Sequence, residues 1–88
     1  MQIFINTYGS YLHVKDDMFE IKVKKPENPP QINHIAAQKV SSIVMSKGSA
    51  MSTDAVALAL QNNIDIVLVE RDGHPMGRFW HSKLGSTT

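Results

Sequence analysis

A group of basic and aromatic side chains lies near the C-terminal end of this 88-residue chain. Arg78, His81 and Lys83 surround Phe79 and Trp80, the last being the only tryptophan. Cationic side chains contact the phosphate backbone of nucleic acids, and aromatic rings stack on their bases. Large aromatic side chains are also favoured in subunit interfaces. The pattern therefore predicts either a nucleic-acid contact through Arg78, His81 and Lys83 or a dimer interface through Phe79 and Trp80.

Tyr8 is a further candidate for nucleic-acid contact. It lies beside Gly9 in residues 6–10, whose composition is typical of a turn. An aromatic ring in a turn can project from the surface and stack on a base. The other interpretation, which the sequence favours, is a tyrosine that packs over the edge of a sheet.

The sequence lacks the motifs of a catalytic or metal site. Its four histidines are His13, His34, His74 and His81. None of them stands with an acidic residue in a motif such as H-E-x-x-H, and there is no cysteine to complete a zinc site. We interpret the histidines as surface residues and predict neither a catalytic residue nor a metal ligand.

Composition narrows the class of protein. The chain is 42% hydrophobic, which suits one small domain, and its formal net charge is +1. A self-standing nucleic-acid-binding domain is usually clearly basic. The apolar runs are far too short to cross a bilayer, and the first residues do not resemble a signal peptide. We therefore expect a soluble, cytoplasmic domain.

The first third of the chain has the period-2 pattern of strands. Ile3 and Ile5 share one face of an opening strand, and Leu12 and Val14 point inward in the next, with His13 outward. The third strand has an apolar and a polar face, formed respectively by Phe19, Ile21 and Val23, and by Glu20, Lys22 and Lys24. We expect these strands to form a meander.

Prolines indicate a loop after the third strand. Residues 25–30 (KPENPP) contain three prolines, which have no amide hydrogen to donate and a fixed φ. We predict a surface loop here, followed by a short strand at residues 31–36 with Ile32 in the core.

The sequence pattern in the second half of the chain predicts a β-α-β unit. Residues 43–45 form a short strand, and Ser52 is a suitable N-cap for a helix whose apolar face comes from residues 55–60. Residues 64–69 are apolar on both faces, as expected for a strand that is covered on both sides. Asp72 and Gly73 then favour a hairpin that returns through residues 76–80. The predicted fold class is α+β, with mostly antiparallel strands in two small packed sheets or one strongly bent sheet, and one α-helix.

Four stretches of the chain resemble the N-terminal domain of the CRISPR-associated adaptation integrase, the endonuclease subunit that inserts new spacers into CRISPR arrays. They are residues 6–12 (NTYGSYL), 52–56 (STDAV), 63–68 (NIDIVL) and 77–85 (GRFWHSKLG). The last stretch is the most specific, and the resemblance spans essentially the whole chain.

The resemblance implies a domain organisation and a role. Family members have an N-terminal β-rich domain, here residues 1–80, and a larger α-helical domain, for which residues 81–88 would begin the linker. The helical domain holds the Glu, His and Asp ligands of the catalytic Mg²⁺ or Mn²⁺, so no catalytic residue is carried over to this chain. The N-terminal domain mainly forms the homodimer and helps to present the helical domains to double-stranded DNA. The expected partner is the small ferredoxin-like subunit of the same complex.

The sequence leaves three hypotheses about function to compare. The first is a dimerisation and positioning domain of a CRISPR spacer-acquisition integrase in antiviral defence. The alternative is a self-standing nucleic-acid-binding module that uses Tyr8 and residues 71–83, against which the near-neutral charge argues. A metal-dependent enzyme complete within the chain lacks recognisable ligands.

Overall fold

The computed structural model describes residues 1–25 and 28–79, whose strands form two four-stranded sheets. The elements are β1 (Gln2–Ile5), β2 (Tyr11–Lys15), β3 (Met18–Lys25), β4 (Asn28–Ala36), a 3₁₀ turn (Ala37–Lys39), β5 (Ser42–Ser46), β6 (Ala50–Met51), α1 (Thr53–Gln61), β7 (Asp65–Val69) and β8 (Pro75–Phe79). Sheet 1 has the order β1-β5-β7-β8, and sheet 2 has the order β4-β3-β2-β6. No helix in this described part is long and apolar enough to span a membrane.

Both sheets are mixed. In sheet 1, β1, β5 and β7 are parallel and β8 is antiparallel to β7. In sheet 2, β4, β3 and β2 are antiparallel neighbours, whereas β6 runs parallel to β2. The predicted α+β class, with two sheets and one helix, is confirmed. The prediction of mostly antiparallel pairing is confirmed only in part.

The predicted meander was wrong in its first strand. β1 does not pair with β2 but lies parallel to β5, with Ile3 opposite Ile43 and Ile5 opposite Met45. All four of these side chains are buried. The meander consists instead of β2, β3 and β4. Alternation predicts which face of a strand is buried but not which strand lies beside it, and burial against β5 decided the partner.

The proline-containing segment is shorter as a loop than predicted. Lys25 already pairs with Asn28, so Pro29 and Pro30 belong to β4. The prolines are tolerated there because β4 is an edge strand and because they lie at a register shift, between the pairs Lys25–Asn28 and Val23–Gln31.

Ile32 was predicted in the core but is 48% exposed. It lies opposite Lys22, and cross-strand neighbours point to the same face of a sheet. Ile32 therefore shares the outer face of sheet 2 with the polar side of β3.

The core lies between the two sheets and the helix. Its members include Ile3, Ile43 and Ile66 from sheet 1, Leu12 and Phe19 from sheet 2, and Ala55 and Ala59 from α1. Burial of each large apolar side chain contributes about 1.5–3 kcal/mol. The two alanines allow α1 to approach the strands closely, and α1 lies against β2 and β7.

The predicted helix is confirmed in position. Ser52 has extended backbone angles, and its Oγ accepts a hydrogen bond from the amide of Ala55 at 3.1 Å. Asp54 lies in the first turn, where a carboxylate complements the helix dipole. The predicted apolar face is only partly buried, since Leu60 is 37% exposed.

The parallel pairing expected of the two strands that flank α1 is confirmed, from Ser42 opposite Asp65 to Ser46 opposite Val69. The expectation that β7 is covered on both sides was wrong, because Leu68 is exposed and Val67 is half-buried. The described residues therefore leave part of the apolar surface of β7 accessible to solvent.

Candidate functional site

Three loops meet at one edge of sheet 1. Because β1, β5 and β7 are parallel, the loops after them lie at the same carboxyl edge, where ligands of open sheets commonly bind. These carboxyl-edge loops are residues 6–10, 47–49 and 70–74. Backbone hydrogen bonds connect them, from Gly9 N–H to Gly48 O at 3.0 Å and from Lys47 N–H to Val69 O at 2.9 Å.

Tyr8 lies at the centre of these loops and is 68% exposed. The guanidinium carbon of Arg71 is 4.6 Å from the centroid of its ring, a cation–π distance. On another side the ring is so close to Gly48 that a Cβ at that position would clash with Tyr8 Cδ2 and Cε2. Both interpretations of Tyr8 therefore have a structural counterpart, because the ring packs on the edge of the sheet and is still accessible for stacking.

Charges of both signs lie at the carboxyl-edge loops. A surface depression there is lined by Lys47, Glu70, Arg71 and Asp72, of which Arg71 contacts the Tyr8 ring. The two carboxylates balance the two cations, so the depression does not have the excess positive charge that phosphate binding favours.

The hairpin between β7 and β8 is held by Asp72. Its Oδ1 accepts a hydrogen bond from the backbone amide of His74 at 3.1 Å, and its Oδ2 is 2.8 Å from His74 Nδ1. The backbone amide and then the ring of His74 lower the pKa of Asp72. The hairpin predicted from Asp72 and Gly73 is confirmed, with β8 antiparallel to β7.

A second cluster lies on the outer face of sheet 2. His13, Glu20 and His34 are cross-strand neighbours on β2, β3 and β4. His34 Nε2 is 2.6 Å from Glu20 Oε2 in a hydrogen bond. His13 Nε2 lies 2.5 Å from Glu20 Oε1. Lys22 Nζ lies 4.0 Å from the same oxygen, and Tyr11 stacks on His13 with ring centroids 5.0 Å apart.

Glu20 was predicted on the solvent face of β3 but is only 4% exposed. The two imidazoles cover it from the neighbouring strands. The hydrogen bond from His34, followed by the contact with His13, lowers the pKa of Glu20 despite its burial. The interpretation of the histidines as surface residues is confirmed for His34 and His74, whereas His13 is only half-buried. All three contact a carboxylate, which the linear sequence motifs did not indicate.

The contact of His13 with Glu20 was obtainable from the sequence. A two-residue turn at Asp16 and Asp17 pairs Lys15 with Met18, and counting back along both strands places His13 opposite Glu20. A search restricted to linear motifs does not find a pair of this kind.

The arrangement of His13, Glu20 and His34 is not that of a metal site. Ligands of one zinc ion lie ~3 Å or more apart, since each is ~2.0–2.2 Å from the metal. The two nitrogen–oxygen distances here are shorter. Among the described residues, no three His, Asp or Glu side chains are placed to hold a metal ion.

The C-terminal candidates are only partly described. Arg78 and Phe79 lie in β8, where their backbones pair with Val67 and Ile66. Trp80, His81 and Lys83 lie outside the described residues.

Comparison with known proteins places this architecture in a family. A family model described as "CRISPR associated protein Cas1" matches residues 3–88. The chain belongs to the Cas1 family. The resemblance inferred from the sequence is thereby confirmed. A curated relative, the CRISPR-associated endonuclease Cas1 1 of Archaeoglobus fulgidus, is 23% identical over 86 residues, which are 98% of this chain and 24% of the relative.

Solved structures share the Cas1 fold seen here. A chain of a partial Cas6-RT-Cas1–Cas2 complex superposes with a TM-score of 0.77 at 13% identity, covering 94% of this chain and 24% of that one. A casposase bound to an integration product superposes with a TM-score of 0.73 at 15% identity, covering 93% of this chain and 26% of that one. The chain thus spans about a quarter of the length of these relatives.

Proposed function

We propose that this chain is the dimerisation and positioning domain of a cytoplasmic CRISPR spacer-acquisition integrase and endonuclease that acts in antiviral defence. The observation that carries the proposal is the Cas1 family match over residues 3–88. A relative named as an endonuclease and a similar fold bound to an integration product support the DNA-cutting and DNA-joining activity of a longer parent protein.

A row of apolar residues supports a role in assembly. Phe4, Val44 and Val67 lie opposite one another on the outer face of sheet 1, and Phe4 is 58% exposed. Phe79 and Trp80 are the further candidates for the dimer interface. The similarity to a Cas1–Cas2 complex supports a small Cas2-type subunit, of the ferredoxin-like kind, as a partner of the parent.

The parent would use Mg²⁺ or Mn²⁺ to position and activate the reacting DNA groups. The described residues do not fit such an ion, since no three of their carboxylate and imidazole groups lie together to hold it. We therefore assign the ion and its chemistry to the remainder of a longer protein and derive no catalytic step from this chain.

The test of the dimerisation role is light scattering on the purified 88-residue chain over a wide range of concentrations. We expect a dimer whose population rises with concentration. A monomer at every concentration would overturn the proposal that this domain is sufficient for dimerisation.

Direct nucleic-acid binding is the second candidate function, favoured by the exposed Tyr8 ring and its Arg71 neighbour. Arg78, His81 and Lys83 are the further candidate contacts. Binding to double-stranded DNA should then weaken steeply with salt, because cationic contacts release counterions from phosphates. Tyr8→Ala and Arg78→Ala should each weaken binding, whereas a chain without DNA binding at low salt would exclude this function.

A further inference from the structure

The edge strands of the two sheets differ in how well they are protected from pairing with another chain. Unpaired amide and carbonyl groups at an edge invite a further strand, and proline, charge, bulges and short length prevent it. β4 contains Pro29 and Pro30, β8 begins with Pro75 and has a register shift against β7, and β6 has two residues. These three edge strands are therefore protected from pairing with another chain.

β1 is short, with four residues, but it lacks the other three forms of protection. It contains no proline or charged residue, and its register with β5 is regular. The first Lys, Arg, Asp or Glu of the chain is Lys15. Among the described residues, β5 is the only strand beside β1. An uncharged, regular edge is a surface on which a second strand can pair.

The backbone groups that face this free edge follow from alternation. The carbonyl of Met1 accepts a hydrogen bond from the amide of Ser41, so Met1 faces β5. Because successive residues of a strand direct their backbone groups to opposite sides, Ile3 and Ile5 face β5 as well. The amides and carbonyls of Gln2, Phe4 and Asn6 then face outward.

We propose that β1 pairs with β1 of a second copy of this chain, antiparallel about a two-fold axis, so that sheet 1 continues from one copy into the other. The inference rests on the proposed dimerisation role and names the surface that performs it. Gln2 and Asn6 are equally spaced about Phe4, so an antiparallel copy places Phe4 opposite Phe4 and Gln2 opposite Asn6. Such a self-complementary surface is the requirement of a two-fold interface.

The chemistry of β1 favours a second copy over a different partner. No like charges oppose each other across the axis, and the two terminal amino groups lie at opposite ends of the antiparallel pair. The two Phe4 rings are on the same face of the joined sheet, where directly opposite aromatic side chains stabilise the pairing. Phe4, exposed in a single copy, would lose much of its contact with water.

The first test uses the absence of cysteine from the chain. Phe4→Cys introduces one thiol, and directly opposite residues of a hydrogen-bonded antiparallel pair have Cα atoms ~5.5 Å apart, within the range that a disulfide spans. Mild oxidation should give a covalent dimer on a non-reducing gel. Ile32→Cys is the matched control, because Ile32 is similarly exposed on another edge strand and should stay monomeric on the gel.

The second test removes the outward hydrogen bonds. Phe4→Pro deletes an amide hydrogen that faces the second copy and leaves the amides bonded to β5 intact. Phe4→Lys places two like charges opposite each other and serves if the proline variant does not fold. Both variants should raise the dissociation constant of the dimer by about tenfold or more, with an unchanged circular dichroism spectrum.

The outcomes separate this inference from the proposed function. A wild-type chain that stays monomeric overturns the dimerisation role, and the β1 pairing with it. The other informative case is a wild-type chain that dimerises. If neither Phe4→Pro nor Phe4→Lys weakens that dimer, and Phe4→Cys cross-links no faster than the Ile32→Cys control, the dimerisation role stands and the β1 interface alone is overturned.

Discussion

At the scale of single residues, Glu20 predicts a pH dependence of stability. Hydrogen bonding from His34 and contact with His13 hold its pKa below the ordinary value of 4.5. The ionised carboxylate therefore stabilises the folded chain above pH 4.5, and this contribution is lost as the pH falls through the lowered pKa. In urea unfolding, Glu20→Gln should destabilise the chain near neutral pH, with a deficit that shrinks in acid.

Glu70→Gln is the matched control, since Glu70 lies in the hairpin between β7 and β8 and is not part of the cluster of Glu20 with His13 and His34. Its difference from the wild type should stay nearly constant over the same pH range. A deficit of Glu20→Gln that is equally independent of pH would contradict the assignment of the acid transition to Glu20.

Also at the residue scale, alanine substitutions at Gly48 and Gly73 separate the cost of backbone strain from the cost of a clash with Tyr8. Its φ is +96° and a Cβ would clash with Tyr8, whereas Gly73 has a φ of +95° and free space around it. Gly73→Ala should therefore cost ~1–2 kcal/mol for backbone strain alone. Gly48→Ala should cost more in thermal or urea unfolding, and Tyr8→Ala should remove the excess. Equal costs for both alanine variants would show that Tyr8 moves away freely.

At the scale of elements, α1 depends on its cap. The Oγ of Ser52 satisfies the amide of Ala55, one of the donors that a helix leaves unpaired at its N-terminus. Ser52→Ala should lower the free energy of unfolding by ~1 kcal/mol, and Ser52→Asp should retain most of the stability, because Asp is also a good N-cap. Urea unfolding monitored by circular dichroism measures both, and an alanine variant as stable as the wild type would exclude the cap as a stabilising contact.

At the scale of the whole molecule, one core holds both sheets together. Leu12 is fully buried in that core, and α1 lies against its strand, β2. Leu12→Ala should cost ~2–5 kcal/mol, a large part of the ~5–15 kcal/mol that stabilises a typical domain. Leu60→Ala, at a half-exposed position of α1, should change stability by less than ~0.5 kcal/mol. Similar losses for both variants, measured by thermal unfolding, would argue against a shared core.

Local patterns in the sequence determined most of the elements. Alternation around Leu12 and Phe19 marked strands because a strand exposes successive side chains to opposite faces. Ser52 marked the start of α1 because a cap acts within one helical turn. The stretch GRFWHSKLG pointed to the family that the comparison then confirmed.

Only the tertiary structure decided which strand lies beside β1. The partner of β1 is more than thirty-five positions away along the chain, with Ile3 opposite Ile43, and no local signal records such a contact. For the same reason Ile32 is exposed and Glu20 is buried, since the residues across the strand, and not those next to them in sequence, set their surroundings. The position of Tyr8 between Gly48 and Arg71 likewise arises from three parallel strands that end at one edge. Secondary structure follows from short-range hydrogen bonds and alternation, whereas burial and contact between distant residues depend on how the sheets pair and pack.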